Sequence, residues 1–532
     1  FQDIIGSLNQ QALGSGNLNI TGSPSIQAVY ENDNDFVRPL GTGAGEVQLT
    51  GGGGLGGGSA GFGAYGAPID LNFGGAGATV TWGSAAFNPG IFTLNGGNAT
   101  HVLTMVNPID LGGEQRYIRL DGNASGGNRA VMATITGDIS NGGIVRRGGG
   151  VLFFDTPKSY EAGTLIQEGE LWLRGTGTAG ANVVSNDILI GAASRLKVDA
   201  PSNIGSKQAI IMQNADDNSA SAISFGPGYG NGSEIKFHSL LTQNGIVQTG
   251  PYDILIGNTQ SGNDRRNRVG VQISGIHDFS TDVMGQIKAV APDVEAWFGA
   301  DTGNGTYTGT TITATGRNKT GGTQAFRLGS GGGTITIANA NVLDGAFPLF
   351  VGAQDNNART NIGGVVYLSK AQNYSGSVTV GAGGILVTGG NNALSTANNT
   401  LNLRGAEIRL GIDPANTHFG QTDTQYAARN IDVRAANSTF RTIPLSGGYF
   451  GTLTLNNLAL NGTDRVLTLN SIGTSYIHTI FNGTTVLEGG TTAINQFFDV
   501  GNDNSFQSGI GLVSLNGVVS QTGAGAVSLQ KR

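Results

Sequence analysis

Short segments that alternate apolar with polar or small residues recur from one end of this chain to the other, each closed by glycine, asparagine or aspartate. Residues 78–82 read A-T-V-T-W, 117–120 read Y-I-R-L, 131–136 read V-M-A-T-I-T and 451–455 read G-T-L-T-L. Alternation with period two places one face of a strand inward, and the bounding residues are those that tolerate tight turns. Strand starts fall roughly 8–15 residues apart, a spacing shared by sandwiches, barrels, propellers and β-helices. Internal repetition decides among them.

The clearest unit spans 148–198. Gly148, Gly150 and the run Val151-Leu152-Phe153-Phe154 are followed by Tyr160, Gly163-Thr164, Ile166, Gly169, Leu171 and Leu173, with a further strand over 189–198. A second copy begins near Gly364, 214 residues on. There Val366, Leu368, Tyr374, Val378, Val380, Gly383, Ile385 and Val387 stand opposite Leu152, Phe154, Tyr160, Thr164, Ile166, Gly169, Leu171 and Leu173, and Gly376 faces Ala162. The segment 401–410 parallels 189–198 with the offset reduced by two. Three short strands per unit coil into a rung, and stacked rungs bury ladders that no single rung could bury alone. At about 22 residues per rung the chain is expected to form an elongated, right-handed parallel β-helix of about 24 rungs, on the order of 115 Å long. A globular sandwich core stops growing well before 532 residues.

Composition agrees with an all-β solenoid. Glycine supplies 91 of 532 residues without a three-residue period, which excludes collagen, and proline only 13. Charged residues are 12% against a usual figure of about 25%, so Asn, Thr, Ser and Gln carry the solvation. No stretch approaches 18 consecutive apolar residues, which argues against a transmembrane segment. Cysteine is absent, which suits an exported protein at the cell surface or outside the cell that needs no staples. A net charge of −7 offers nucleic acid no general foothold.

Residues 1–60 are expected to form an irregular Gly/Asn-rich segment, with an Asn/Asp run at 31–35 and a glycine block at 51–58 that reads as a linker or wide loop. Residues 61–532 form the repeat region, expected to continue beyond the last residue or to dock there. Lys531-Arg532 is compatible with a processing cut.

The motifs Gly148-x-Gly150-Val-Leu-Phe-Phe, Tyr160-x-x-Gly163-Thr-x-Ile166 and Gly169-x-Leu171-x-Leu173 resemble the autotransporter-associated β-strand repeat of bacterial surface proteins. Asn373-Tyr374-Ser375-Gly376 matches that repeat's turn, and residues 136–143 resemble its lead-in. Ser159 and Ala162 depart from the pattern in the first unit. The clear matches cover about 80 residues. The resemblance implies a passenger β-helix carried to the outer surface of a bacterium by a membrane β-barrel.

Catalytic signatures are missing. The five histidines, His101, His238, His277, His418 and His478, lack metal-ligand spacing, and no H-E-x-x-H or P-loop occurs. His277-Asp278 makes an acid/base pair only if the fold brings it a nucleophile. Asp33 and Asp35 have the i, i+2 spacing that would set two carboxyls apart for glycoside hydrolysis, within a run that reads as a solvated turn. Asp216-Asp217, Asp355 and Asp503 lie in similar turns, whose oxygens suit weak calcium binding without matching a calcium loop. Phe153 and Phe154 are expected to face opposite ways, and Trp172 to point away from Leu171 and Leu173, toward a partner or under a loop. Arg265-Arg266-Asn267-Arg268 reads as a loop tip, with an anionic glycan or lipid as the other reading. The sequons at Asn98, Asn123, Asn231, Asn304 and Asn373 arise by chance in such a composition.

These features point to a structural scaffold of the cell surface or extracellular space, a module of a fibre, adhesin or cell coat that associates with itself or with further parts of its chain. No catalytic residue and no cofactor is assigned, and metal ligation is left open. A polysaccharide-processing β-helix enzyme and a carbohydrate-binding adhesin are the alternatives.

Overall fold

The computed structural model describes residues 3–5, 14–52, 57–121, 132–175, 187–204, 210–212, 220–229, 232, 235–239, 253–256, 268–316, 324–353, 361–389, 392–395, 400–412, 421–423, 426–434, 438–444, 450–462, 466–471, 476–488, 494–499, 512–522 and 527–531. The chain divides into two compact units, one built largely from residues 1–214 and the other largely from 260–532. Each is a right-handed parallel β-helix. Among the described residues a single α-helix, Val283–Val290, interrupts the strands, with Asp282 accepting from the Gly285 amide at its N-terminus.

In the first unit two parallel ladders run side by side. One stacks Gln27–Asn32, Ser59–Ala64, Ile91–Leu94, Ile109–Arg119, Ile139–Arg147, Thr164–Ile166 and Ile188–Ile190. The other stacks Ile69–Asn72, Leu103–Met105, Met132–Ile135, Val151–Phe154, Glu170–Leu173, Arg195–Val198 and Ser221–Phe225. Ser59–Ala64 straddles the sequence boundary drawn at residue 60, and its partner Gln27–Asn32 lies before it. The Gly58 amide donates to the Gly51 carbonyl at 2.7 Å.

A shorter pair, Leu18–Thr21 with Val47–Thr50, lies outside these two, and the second unit carries three ladders. Leu401–Arg404, Ile431–Arg434, Leu458–Asn461, Thr485–Glu488 and Val519–Thr522 form one, and Glu407–Ile412, Ser438–Pro444 and Val466–Ser471 belong to the next. Phe450–Leu455, Tyr476–Phe481 and Leu512–Leu515 form the third. Rungs are less uniform than the expected 22 residues. Twenty residues separate the partners Val145 and Leu165, while thirty-two separate Ala28 from Ala60 and thirty separate Leu401 from Ile431. Longer loops between strands account for the difference.

The core is a set of columns with one side chain per rung. Leu152, Leu171, Leu196 and Ile223 are register partners and fully buried, as are Val366, Leu386, Ile408 and Phe440. Each such side chain contributes about 1.5–3 kcal/mol on leaving water. Leu152 and Val366 both face inward, as the two copies require. Gly169 and Gly383 occupy the same turn with positive φ, and an added β-carbon at Gly169 would stand 2.3 Å from the Gly148 carbonyl oxygen.

The correspondence then slips by one residue. Leu386 and Thr388 face inward, and Ile385 and Val387 lie half-exposed on the other face. Pairing in register with inward Val366 forces this phase, because parallel neighbours carry their side chains on the same face. Similarly, 189–198 and 401–410 are each two strands, and Ile188 and Ile190 point inward where Leu189 was aligned.

Candidate functional site

On the outward face of the first unit's second ladder, successive rungs present chemically matched side chains. Leu171 and Leu173 are buried, so Glu170 and Trp172 point the other way, as do Val151 and Phe153 beside them and Arg195 and Lys197 on the next strand. Phe153 and Trp172 are register partners with ring centroids 5.1 Å apart. The Arg174 guanidinium lies 3.7 Å from the Phe153 ring, and Lys197 Nζ lies 3.8 Å from the Trp172 ring. Trp172 Nε1 donates to Asp199 Oδ1 at 2.8 Å, and Arg174 Nε donates to Asp155 Oδ1 at 2.5 Å. Phe153 is thus 2% exposed although it faces away from the core. Cations of its own and neighbouring rungs cover the aromatic column, where sequence alone suggested a loop or a partner.

Glu170 and Arg195, also register partners, form a buried ion pair with Arg195 Nε 2.9 Å from Glu170 Oε2. The second unit repeats the device. Arg268 Nε donates to Glu295 Oε2 at 2.9 Å, and Arg327 Nη2 lies 3.7 Å from Glu295 Oε1. All three side chains are at most 2% exposed. Trp297, Arg327 and Phe350 occupy consecutive strands of this unit, with the Arg327 guanidinium 5.8 Å from the Phe350 ring. Such an arrangement fixes register: each side chain finds its counterpart only when the correct residue of the next rung lies beside it.

Buried amides fix the turns in the same way. Asn107 Oδ1 accepts from the Phe73 amide at 2.7 Å, and its Nδ2 donates to the carbonyls of Gly75 and Ala78 at 2.7 and 2.9 Å. Asn95 accepts from the Ala64 amide and donates to the His101 and Met132 carbonyls. Lys158 is 2% exposed, with Nζ 2.5 Å from Thr156 Oγ1 and 5.4 Å from the Phe154 ring. Burial holds its ammonium down to about 8, against the raising influence of Asp138 and Asp155.

The residues singled out by sequence do not converge. Asp33 Oδ1 accepts from Asn34 Nδ2, and Asp35 Oδ1 accepts from the Asp70 amide of the next rung, so both are engaged at a turn. His277 is buried with Nε2 2.9 Å from the Ser274 carbonyl. Asp278 Oδ1 instead accepts from the Gly232 amide. His101 Nδ1 meets Thr100 Oγ1, and His478 Nε2 meets Ser514 Oγ. Arg268 of the basic run belongs to the buried triad rather than to a loop tip. His418, Asp216, Asp217, Asp355, Asp503, Arg265, Arg266, Asn267, Asn123, Asn231 and Arg532 lie outside the described residues, as does the side chain of His238. Among the described residues no three His, Cys, Asp or Glu side chains are grouped to hold a metal ion.

No protein-family model, curated protein or solved structure matches this chain.

The charged strand residues Glu170, Arg195, Lys197 and Glu295 carry no motif of their own in the sequence. Their signal is a charge set inside an otherwise apolar strand, as in R-L-K-V at 195–198 and E-A-W-F at 295–298. Such charges sit on the outward face and need a partner one rung away.

Proposed function

We propose that this chain is a structural scaffold of the cell surface or extracellular space, a module of a fibre, adhesin or cell coat. The observation that carries the reading is the use made of the outward chemistry. Phe153, Trp172, Arg174, Lys197, Glu170 and Arg195 engage one another across rungs and reinforce stacking. The absence of cysteine and the likeness of residues 148–173 and 373–376 to the autotransporter-associated repeat support export and surface display. No helix among the described residues is long and apolar enough to cross a membrane.

Association with further copies, or with further parts of the same chain, belongs to the proposal. Val365, Tyr367, Ile385 and Val387 form a half-exposed apolar block on the outward face of two adjacent strands, suited to lateral packing. Sedimentation across a concentration series, paired with imaging of native cell-surface material, tests the reading. Concentration-dependent assembly and an ordered surface layer are expected. A monomer throughout, with turnover of a polysaccharide abolished by one carboxylate substitution, would replace the scaffold with a polysaccharide-processing enzyme. Saturable glycan binding without turnover or assembly would favour a carbohydrate-binding adhesin.

A further inference from the structure

Four polar side chains from successive rungs of the first unit meet on the outward face of its first ladder. Gln27 and Ser59 are register partners on Gln27–Asn32 and Ser59–Ala64, and Thr93 lies on the next strand, Ile91–Leu94. Tyr30, Phe62 and Phe92 of the same strands are core residues, so Gln27, Ser59 and Thr93 point the other way. Asp121 follows Ile109–Arg119, and its amide donates to the Asn95 carbonyl at 3.0 Å. All four side chains are nonetheless at most 9% exposed, and Thr93 is fully buried.

Gln27 Nε2 donates to Thr93 Oγ1 at 3.1 Å and to Asp121 Oδ2 at 2.6 Å. The carboxylate fixes the amide this way round, because it only accepts and would repel Oε1. Ser59 Oγ lies 2.6 Å from Thr93 Oγ1, and Arg119 Nε donates to Asp121 Oδ1 at 2.6 Å. Gly61 is the register partner of Thr93, and an added β-carbon there would collide with the Thr93 backbone. A hydroxyl, a carboxamide and a carboxylate therefore share one site from which water is largely excluded.

We propose that Gln27 and Thr93 join as an intramolecular ester. Thr93 Oγ1 bonds to Gln27 Cδ, the Cδ–Nε2 bond breaks, and the hydroxyl proton goes to Nε2, which departs as ammonia. In the tetrahedral adduct Oγ1 and Nε2 sit on one carbon. The Asp121 carboxylate, already bonded to Nε2–H, is placed to take the proton from oxygen and deliver it to nitrogen. Holding hydroxyl and amide in contact replaces an effective concentration on the order of 10⁵ M or more. Burial keeps out the water that would hydrolyse the ester, and the ammonia is lost to bulk solvent. The link ties together residues 66 positions apart, a covalent staple in a chain without cysteine.

The intact mass of the folded full chain, followed by digestion after glutamate, tests the link. Wild type is expected to weigh one ammonia less than its sequence. Cleavage after Glu31, Glu46 and Glu114 puts Gln27 on peptide 1–31 and Thr93 on peptide 47–114. The two peptides should stay joined through residues 27 and 93, and part in hydroxylamine. Thr93→Val should keep the full mass of its own sequence and release the peptides separately, and Asp121→Asn should slow the joining about a hundredfold. If Thr93→Val does not fold, Gln27→Met takes its place, with the same loss of the link expected. Wild type at its full sequence mass with the peptides released separately would overturn the proposal. So would a loss of ammonia at another residue that leaves the two peptides unjoined.

Discussion

Arg268 Nε stands 2.9 Å from Glu295 Oε2 across a parallel register in which the two residues are direct partners. Glu295→Leu takes from the buried Arg268 and Arg327 the carboxylate that they share. Stability should fall by roughly 3–5 kcal/mol, while replacing all three residues with apolar ones should recover most of the loss. Hydrogen-exchange protection of Arg268–His277 and Glu295–Tyr307 reports it locally. Unchanged protection in Glu295→Leu would show that the triad does not hold these strands.

The aromatic column gives a rank order. Phe153→Ala removes a 2% exposed ring and should cost about 3–5 kcal/mol. Arg174→Met and Lys197→Met keep most of the covering methylenes and lose only the cation, which is worth about 0.5–2 kcal/mol. Melting temperatures of the three variants should fall in that order, and a larger loss from either cation than from the ring would contradict the packing.

Lys158 makes stability depend on pH in a definite direction. Its folded-state value, about 8, lies below the ordinary 10.5. Between these values the unfolded chain holds the proton more often than the native one, so stability from this group rises as pH increases through the window. Lys158→Met escapes the cost of burying the charge, which is on the order of 3 kcal/mol below pH 8. The melting-temperature advantage of Lys158→Met, compared with wild type at each pH, should therefore shrink from pH 8 to 10.5. A constant difference would count against a buried lysine.

How much was legible beforehand divides along physical lines. The inward positions Leu152, Phe154, Tyr160 and Ile166 and their partners Val366, Leu368, Tyr374 and Val380 could be read because alternation and turn glycines coincide there. The phase failed at Ile385-Leu386-Val387, three consecutive apolar residues that fit either face. Only pairing with the strand Gly364–Leu368 selects Leu386. The same limit hid the outward ladders. Glu170 and Arg195 are twenty-five residues apart, and irregular loops set which residue of one rung meets which of the next.

Asn107 tests the amide turns. Its side chain accepts one backbone bond and donates two to Gly75 and Ala78. Asn107→Ala leaves the buried Phe73 amide without its acceptor, at about 1–3 kcal/mol, and removes the donor to the carbonyls of the turn. Asn107→Asp should rescue the loss only in part, since a carboxylate accepts from the Phe73 amide but cannot donate to the carbonyls. Denaturant unfolding of both variants decides it, and full stability in the aspartate variant would contradict the assigned bonds.

The central claim is that the chain coils in parallel, one register partner per rung. The absence of cysteine allows a direct measurement with introduced pairs. Val365 and Ile385 are outward partners on adjacent strands, at a strand spacing of about 4.8 Å that suits a disulfide. Val365→Cys with Ile385→Cys should oxidise readily to a cross-link, whereas Val365→Cys with Leu386→Cys should not, because Leu386 points into the core. Cross-linking of the second pair and not the first would contradict the register on which the whole fold rests.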